Sequence, residues 1–189
     1  MGEPDGADVI SSGYKRQVLA ATEPALSRLA VALSRQAQRI ADDDFEEAMP
    51  EMESFVIGLA RLEKVALVLR HIGLDVDPLL HLFDASTPNA RTARNVFSHY
   101  EDYLLGEGRE QPARGVPVTM HFGRGTTAGT AIHMTNPDIT VEVGTAIGAA
   151  EDLAYGLLEL IDTHRTSLHF DTRLDGASGG SSSCPETQS

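Results

Sequence analysis

The sequence has 189 residues, 41% of them hydrophobic, so the chain is long enough to enclose an apolar core and we expect one domain. A formal net charge of −13 disfavours non-specific binding along a nucleic acid, because every phosphate contact depends on local cations. The single cysteine, Cys184, excludes an intrachain disulfide framework and a multi-thiolate metal site.

Residues 1–13 show none of the features of a targeting segment. They are acidic where a secretory signal would be basic and then apolar, and no apolar run in the chain approaches the ~20 residues needed to cross a bilayer. The segment is polar, with two glycines in its first six residues, and is expected to be flexible. We therefore expect a soluble, cytoplasmic protein with no membrane partner.

The first long helix is predicted at residues 15–40. Apolar residues recur there at three- and four-residue spacings, which is typical of a helix that packs on a core by one face. Pro24 interrupts the pattern. It either kinks the helix or lies in the first turn of a new helix that begins at Thr22.

A second long helix is predicted after an acidic connector at residues 42–47. It begins at Pro50, because proline suits the first turn of a helix, and Gly73 marks its end. A short apolar segment, LLHLF, follows and is predicted to form one or two helical turns that begin at Asp77. His81 lies within this segment and is interpreted as a hydrogen-bonded core residue rather than a metal ligand.

The helix with the clearest signals is predicted at residues 88–105, PNARTARNVFSHYEDYLL. Thr87 can cap its first turn, and Pro88 loses nothing at the first helical position. At about 100° per residue, its apolar arc contains Ala90, Ala93, Val96, Phe97, Tyr100 and Leu104. The opposite, polar arc contains Arg91, Arg94, Asn95, Ser98, His99 and Asp102. Packing on a core explains the apolar arc and leaves the polar arc as the candidate functional surface.

Three short strands are predicted before the last helix, at residues 118–122, 131–134 and 139–143. Turn-rich segments separate them, so we expect a small antiparallel meander. His121 and His133 could be cross-strand neighbours in it and could hold a metal ion together. Because no third ligand has a fitting spacing, we predict no metal site and no cofactor.

The last long helix is predicted to begin at Gly144 and Thr145. Residues 171–189 contain almost nothing to bury and are expected to form a disordered tail, which leaves residues 14–170 as one domain with an insertion at 118–143. The predicted fold is mainly α: a four-helix-type bundle with a small antiparallel β-meander inserted before the last long helix.

Positive charge is concentrated in one region of the chain. Residues 88–124 contain five arginines and four acidic residues, a net charge of +1, so the rest of the chain carries −14. An RNA-binding surface would therefore have to lie in this region. The acidic rest of the chain would confine RNA contacts to residues 88–124. Solubility explains the acidic charge equally well, because acidic surfaces favour it.

The polar arc reads R-N-x-x-x-H from Arg94 to His99. Five residues on one continuous helix correspond to about 500°, so the two side chains would leave it about 140° apart and could not form a tight pair unaided. A second copy of the helix, related by a two-fold axis, could close the arc into a cleft.

Such a cleft suits metal-free cleavage of RNA by its own 2′-hydroxyl. His99 would transfer a proton near neutral pH and Arg94 would bind the phosphate, while Asn95 would orient either the imidazole or the phosphate. DNA lacks the 2′-hydroxyl and would be spared.

The R-N-x-x-x-H element near the end of a penultimate bundle helix resembles the HEPN superfamily, which includes ribonuclease toxins, antiviral nucleases and non-catalytic relatives. The resemblance implies an all-helical homodimer in which Arg94 and His99 line a composite cleft, with Asn95 as the polar residue after the arginine. Toxins of the family that pair with a nucleotidyltransferase antitoxin carry a tyrosine two places after the histidine. This chain has Glu101 there.

Two functions are therefore predicted as alternatives. The first is a metal-independent RNA endonuclease of a toxin–antitoxin or defence system, with RNA as its substrate and an antitoxin or regulatory protein as its partner. The second is a non-catalytic dimeric scaffold or regulatory module, in which the polar arc packs against a partner and Asp102 is the ion-pair partner of His99.

Overall fold

The computed structural model describes residues 10–42, 45–109, 111–124 and 129–177. The helices in these residues are α1 (Ser12–Asp42), α2 (Phe45–His71), α3 (Asp77–Ser86), α4 (Ala90–Ser98), α5 (Tyr100–Leu104) and α6 (Val143–Ala177). The strands are β1 (Thr119–Arg124), β2 (Thr130–Thr135) and β3 (Ile139–Glu142). The prediction of a mainly α protein with a small sheet before the last long helix is confirmed.

The core lies between the long helices, with α1 packed on both α2 and α6. A buried stripe at seven-residue spacing explains the position of α1, and it consists of Leu19, Leu26, Leu33 and Ile40. α1 and α6 run antiparallel, since Glu23 pairs with Arg165 at 2.6 Å and Ser34 donates to Glu151 at 2.8 Å. α3 packs on α6, and α4 packs on α2.

The close approach of α1 and α2 depends on Gly58. A Cβ atom at this position would lie 2.7 Å from a side-chain carbon of Leu33, which is too short for any contact between carbon atoms. Leu33 of α1 therefore packs directly against the backbone of α2 at Gly58. The same turn of α2 carries Arg61 on its exposed side.

The structure decides between the two alternatives at Pro24 in favour of one continuous helix, and it corrects the predicted start of the second helix. α1 continues through Pro24, which is exposed, while Leu19 and Leu26 on either side of it are buried and keep the helix packed. No new helix therefore begins at Thr22. α2 begins at Phe45 and contains Pro50 in its interior. Residues 42 and 45–47 of the predicted connector are therefore helical, and residues 43–44 lie outside the described ranges.

Two further expectations concern the surface and the end of the chain. His81 is exposed on α3, so its interpretation as a core residue is wrong. The backbone of α6 continues to Ala177 and includes the first residues of the predicted tail at 171–189, whose remainder lies outside the described ranges, as do residues 1–9. Among the helices of the described residues, none is both long enough and apolar enough to span a membrane.

The three strands form an antiparallel meander in the order β1-β2-β3, as predicted. His121 lies opposite His133, and the two imidazole rings stack with their centroids 5.2 Å apart. Nδ1 of His133 also lies 2.9 Å from the hydroxyl of Thr140 on β3. Within the described ranges, no cluster of three or more histidine, cysteine or carboxylate side chains could hold a metal ion.

Candidate functional site

The helix predicted at residues 88–105 begins later than its sequence signals suggest. Thr87 ends α3, because its N–H and its hydroxyl both donate to the carbonyl of Phe83, at 2.9 and 2.8 Å. The N-terminal cap of α4 is instead Asn89. The side chain of Asn89 donates to the carbonyl of Thr140 at 2.9 Å and so connects the start of α4 to β3.

The same helix is divided at His99, where the backbone leaves the helical region (φ −130°, ψ 37°) between α4 and α5. The division rotates α5 relative to the predicted apolar arc. Tyr103 is therefore the buried residue of α5, with 2% of its surface exposed, whereas Leu104 is 43% exposed. An angle of about 140° between Arg94 and His99 requires one continuous helix, so it does not hold for the divided helix.

Two adjoining cavities meet at the division between the helices. The α5 cavity has a volume of about 380 Å³ and is lined by Arg94, Asn95, His99, Asp102, Tyr103 and Arg109. The α2 cavity has a volume of about 430 Å³ and is lined by Ile57, Ala60, Arg61, Lys64, Arg94, Asn95, Ser98 and His99. The three candidate residues of the R-N-x-x-x-H element thus form a wall common to both cavities within one chain.

The two cavities are electropositive in a strongly acidic protein. Their fixed cations are Arg61, Lys64, Arg94 and Arg109. Among the described residues, Asp102 is the only carboxylate that lines them, so the described lining carries a net fixed charge of +3. Within the described ranges these four cations form no ion pair, which leaves their charge available to a ligand.

Arg91, one helical turn before Arg94, has a different environment. Its guanidinium lies 2.6 Å from the carboxylate of Glu63, and the hydrogen bond to Glu63 together with the charge of that carboxylate raises the pKa of Arg91. It lines neither the α2 cavity nor the α5 cavity. The chain therefore supplies an internal comparison between a paired and an available arginine on one helix.

The side chain of Asn95 holds the guanidinium of Arg94. Its Oδ1 accepts a hydrogen bond from Nε of Arg94 at 3.1 Å and a second one from Nη2. Both residues are half-buried, while His99 is exposed. In the described part of the chain His99 forms no ion pair with Asp102, so the pairing predicted for these two residues is absent there.

Arg109 reaches the site from the α5–β1 loop, residues 105–118, of which residue 110 lies outside the described ranges. The loop is tied at its base, because the N–H of Gly115 donates to the carbonyl of Gly106 at 2.8 Å. Gln111 is 6% exposed and ties the loop from inside. Its Oε1 accepts from the N–H of Gly108 at 2.6 Å, and its Nε2 donates to the carbonyl of Tyr103 at 2.9 Å.

The R-N-x-x-x-H element predicts the residues of the common wall of the cavities, but the sequence pattern does not predict the cations that flank it. Arg61 and Lys64 are three residues apart opposite the buried stripe of α2, a spacing that places both on one exposed face and that could have indicated a basic patch. Arg109 lies in the region of excess positive charge, but no local pattern directs it towards His99.

Comparison of the chain with models of protein families, with curated proteins and with solved structures gave no match. The resemblance to the HEPN superfamily therefore rests on the residues from Arg94 to His99 and on the helical fold alone.

Proposed function

We propose that this chain is a metal-independent endoribonuclease whose reacting groups are Arg94 and His99. The observation that supports it best is that both side chains line the same two adjoining cavities of one chain. A group that exchanges protons near neutral pH and a fixed positive charge are what attack by a 2′-hydroxyl on the adjacent phosphate needs. The excess of available cations around both groups would attract the phosphate.

The contact between Arg94 and Asn95 assigns a different role to each edge of the guanidinium. Arginine has five N–H donors, and Oδ1 of Asn95 takes one from Nε and one from Nη2. The edge formed by Nη1 and Nη2 keeps its donors and can bind two phosphate oxygens at once. Asn95 is thus a positioning residue, which acts through Arg94.

In the proposed reaction, the 2′-oxygen forms a bond to phosphorus while the bond from phosphorus to the 5′-oxygen of the next nucleotide breaks. The product is a 2′,3′-cyclic phosphate. His99 takes the proton of the attacking hydroxyl, and the departing 5′-oxygen takes a proton from water, which has access because His99 is exposed. The hydroxide left by that water takes the proton from His99, which restores the neutral imidazole. Arg94 stabilises the charge that develops on the non-bridging oxygens.

Cleavage of a labelled single-stranded RNA by the purified protein tests this proposal. His99→Ala should lower the rate by about 10²–10⁴-fold, as expected for loss of a general base, and Arg94→Ala by about 10²–10³-fold. His81→Ala is the matched control, since His81 is also exposed but lines neither cavity. A chelator should leave the rate unchanged, and DNA of the same sequence should stay intact.

Two results would refute the endoribonuclease. One is an RNA substrate that stays intact with the wild-type protein. The other is a His99→Ala variant that cleaves as fast as the His81→Ala control.

A non-catalytic dimeric scaffold or regulatory module is the second candidate. It is favoured by the exposure of His99, which no hydrogen bond or ion pair orients within the described ranges, and by Leu105, which is 68% exposed at the end of α5. Sedimentation of wild type and Leu105→Ser would test the dimer, which the scaffold needs and which the substitution should weaken. The homodimer, the antitoxin or regulatory partner and a role in a toxin–antitoxin or defence system stay predictions.

A further inference from the structure

We propose that the α5 cavity and the α2 cavity are neighbouring subsites for one single-stranded RNA. Arg61 and Lys64 bind the phosphate on one side of the reacting phosphate, and Arg109 binds the phosphate on the other side. The inference rests on the proposed function, because it places the reacting phosphate at Arg94 and His99. It assigns substrate binding to three cations outside the R-N-x-x-x-H element.

The common wall of the cavities requires that their occupants be neighbours. Arg94, Asn95 and His99 line both cavities, so a group bound in one lies next to a group bound in the other across these three side chains. Volumes of about 380 and 430 Å³ fall within the range of small-ligand sites. A chain molecule with a negative charge at every unit would fill both cavities and place one charge at the wall.

The cations of α2 are arranged for one phosphate. Arg61 and Lys64 are three residues apart on the same face of α2, and residues at this spacing have neighbouring side chains. Both are exposed, and neither has an ion-pair partner among the described residues. An arginine fork beside a lysine ammonium can bind two oxygens of one phosphate from adjacent directions.

The position of Arg109 is fixed through the backbone on either side of it. Gly108 is buried against the ring of Tyr103, where a Cβ atom would lie 2.5 Å from a ring carbon. The buried amide of Gln111 holds the N–H of Gly108 at 2.6 Å. The exposed side chain of Arg109 is therefore presented to the α5 cavity from an anchored backbone, which lowers the entropy that a phosphate contact has to overcome.

The lining of both cavities indicates recognition of the backbone rather than of particular bases. Sequence-tolerant single-strand binding combines cations along the backbone with ring stacking, and base-specific binding needs donors and acceptors aimed at base edges. Tyr103 is the one phenol ring among the described residues that line them, and it is 2% exposed, so it offers no face to a base. The RNA bound here is expected to vary in sequence.

Binding of a labelled single-stranded 2′-O-methyl RNA, measured at a series of salt concentrations, tests the inference without cleavage, because its 2′-oxygen cannot attack. The variants are Arg61→Gln/Lys64→Gln and Arg109→Gln. The matched control is Arg70→Gln/Arg91→Gln, which removes two cations that are paired to carboxylates and line neither cavity.

Each cavity variant is expected to reduce the slope of log K against log salt concentration by about 0.7, the value for one phosphate of a single strand. The control should keep the wild-type slope. An unchanged slope in both cavity variants, an equal change in the control, or a probe that does not bind would overturn the inference.

Unmodified RNA in the same buffers separates this inference from the endoribonuclease proposal. Cleavage without the expected changes in slope would refute the subsites alone. The expected slopes without cleavage would refute the endoribonuclease and leave an RNA-binding site.

Discussion

Replacement of Gln111 by alanine removes the internal tie of the α5–β1 loop. Three hydrogen bonds of the Gln111 side chain are lost. Its Oε1 accepts from the N–H of Gly108 at 2.6 Å, and its Nε2 donates to the carbonyls of Tyr103 and Val116 at 2.9 and 3.1 Å. Both carbonyls also accept other hydrogen bonds, so the buried N–H of Gly108 is the group left without an acceptor in the described chain. An unpaired buried N–H costs ~1–3 kcal/mol, so opening of the loop should become easier by about 2 kcal/mol.

Amide hydrogen exchange measures this opening directly. About 2 kcal/mol corresponds to roughly 30-fold faster exchange, expected at the amides of Gly115 and Val118, whose hydrogen bonds close the loop. The amide of Leu26 in the core of α1 should keep its protection. The salt dependence of RNA binding should shift towards that of Arg109→Gln although no charge has been removed. Unchanged protection at Gly115 and Val118 would show that Gln111 does not hold the loop, and equal loss at Leu26 would show that the whole domain is affected.

Three further changes test other parts of the molecule. Asn95→Asp should lower RNA cleavage by at least about tenfold, because a carboxylate would pair with Arg94 more strongly than the amide does and would repel the phosphate. Retained activity would refute the role given to Asn95. Gly106→Ala should lower the free energy of unfolding, measured by urea denaturation, by ~1–3 kcal/mol. Gly106 has φ +73°, and a Cβ atom there would lie 2.5 Å from backbone atoms of Gly115. A variant as stable as the wild type would contradict this. The pKa of Tyr155 is raised above 10.0, first by the hydrogen bond to Glu159 and then by the charge of that carboxylate. The contact therefore stabilises the fold below pH 10.0, and its contribution is lost as the pH rises through the pKa of the folded state. Ultraviolet titration should show a lower pKa in Glu159→Gln, and an unchanged pKa would refute the cause.

Local patterns were sufficient to predict the bundle and the sheet. The seven-residue spacing from Leu19 to Ile40 predicts the buried face of α1. The order of strands and turns predicts the meander and allows His121 and His133 to be neighbours, whereas the pairing of the two comes from the register of the structure. These features follow from periodicity because one face of each element meets a continuous core. Pro50 misled the predicted start of α2, which begins at Phe45. At Pro24 one of the two alternatives is right, because α1 continues through it, and buried leucines on both sides compensate for the hydrogen bond that proline cannot make.

The division of the helix at His99 had no local signal, because neither glycine nor proline lies near it. The residues that hold α5 in place are distant in the sequence. The carbonyl of Tyr103 accepts hydrogen bonds from Val118 and from Gln111, and the side chain of Tyr103 is buried. The candidate site was predicted as far as its common wall. Its flanking cations come from α2 and from a loop, and only the tertiary packing brings them to His99.

The antiparallel pairing of α1 with α6 has a practical consequence for all of these measurements. Contacts between Glu23 and Arg165 and between Ser34 and Glu151 occur in reverse order along the two helices, so the first turn of α1 and the last described turns of α6 lie at the same end of the bundle. A fluorescent donor near Ser12 and an acceptor near Thr166 should therefore transfer energy efficiently in the folded chain and lose that transfer on unfolding. Such a pair would report the integrity of the bundle in the same cuvette in which RNA binding or cleavage is followed.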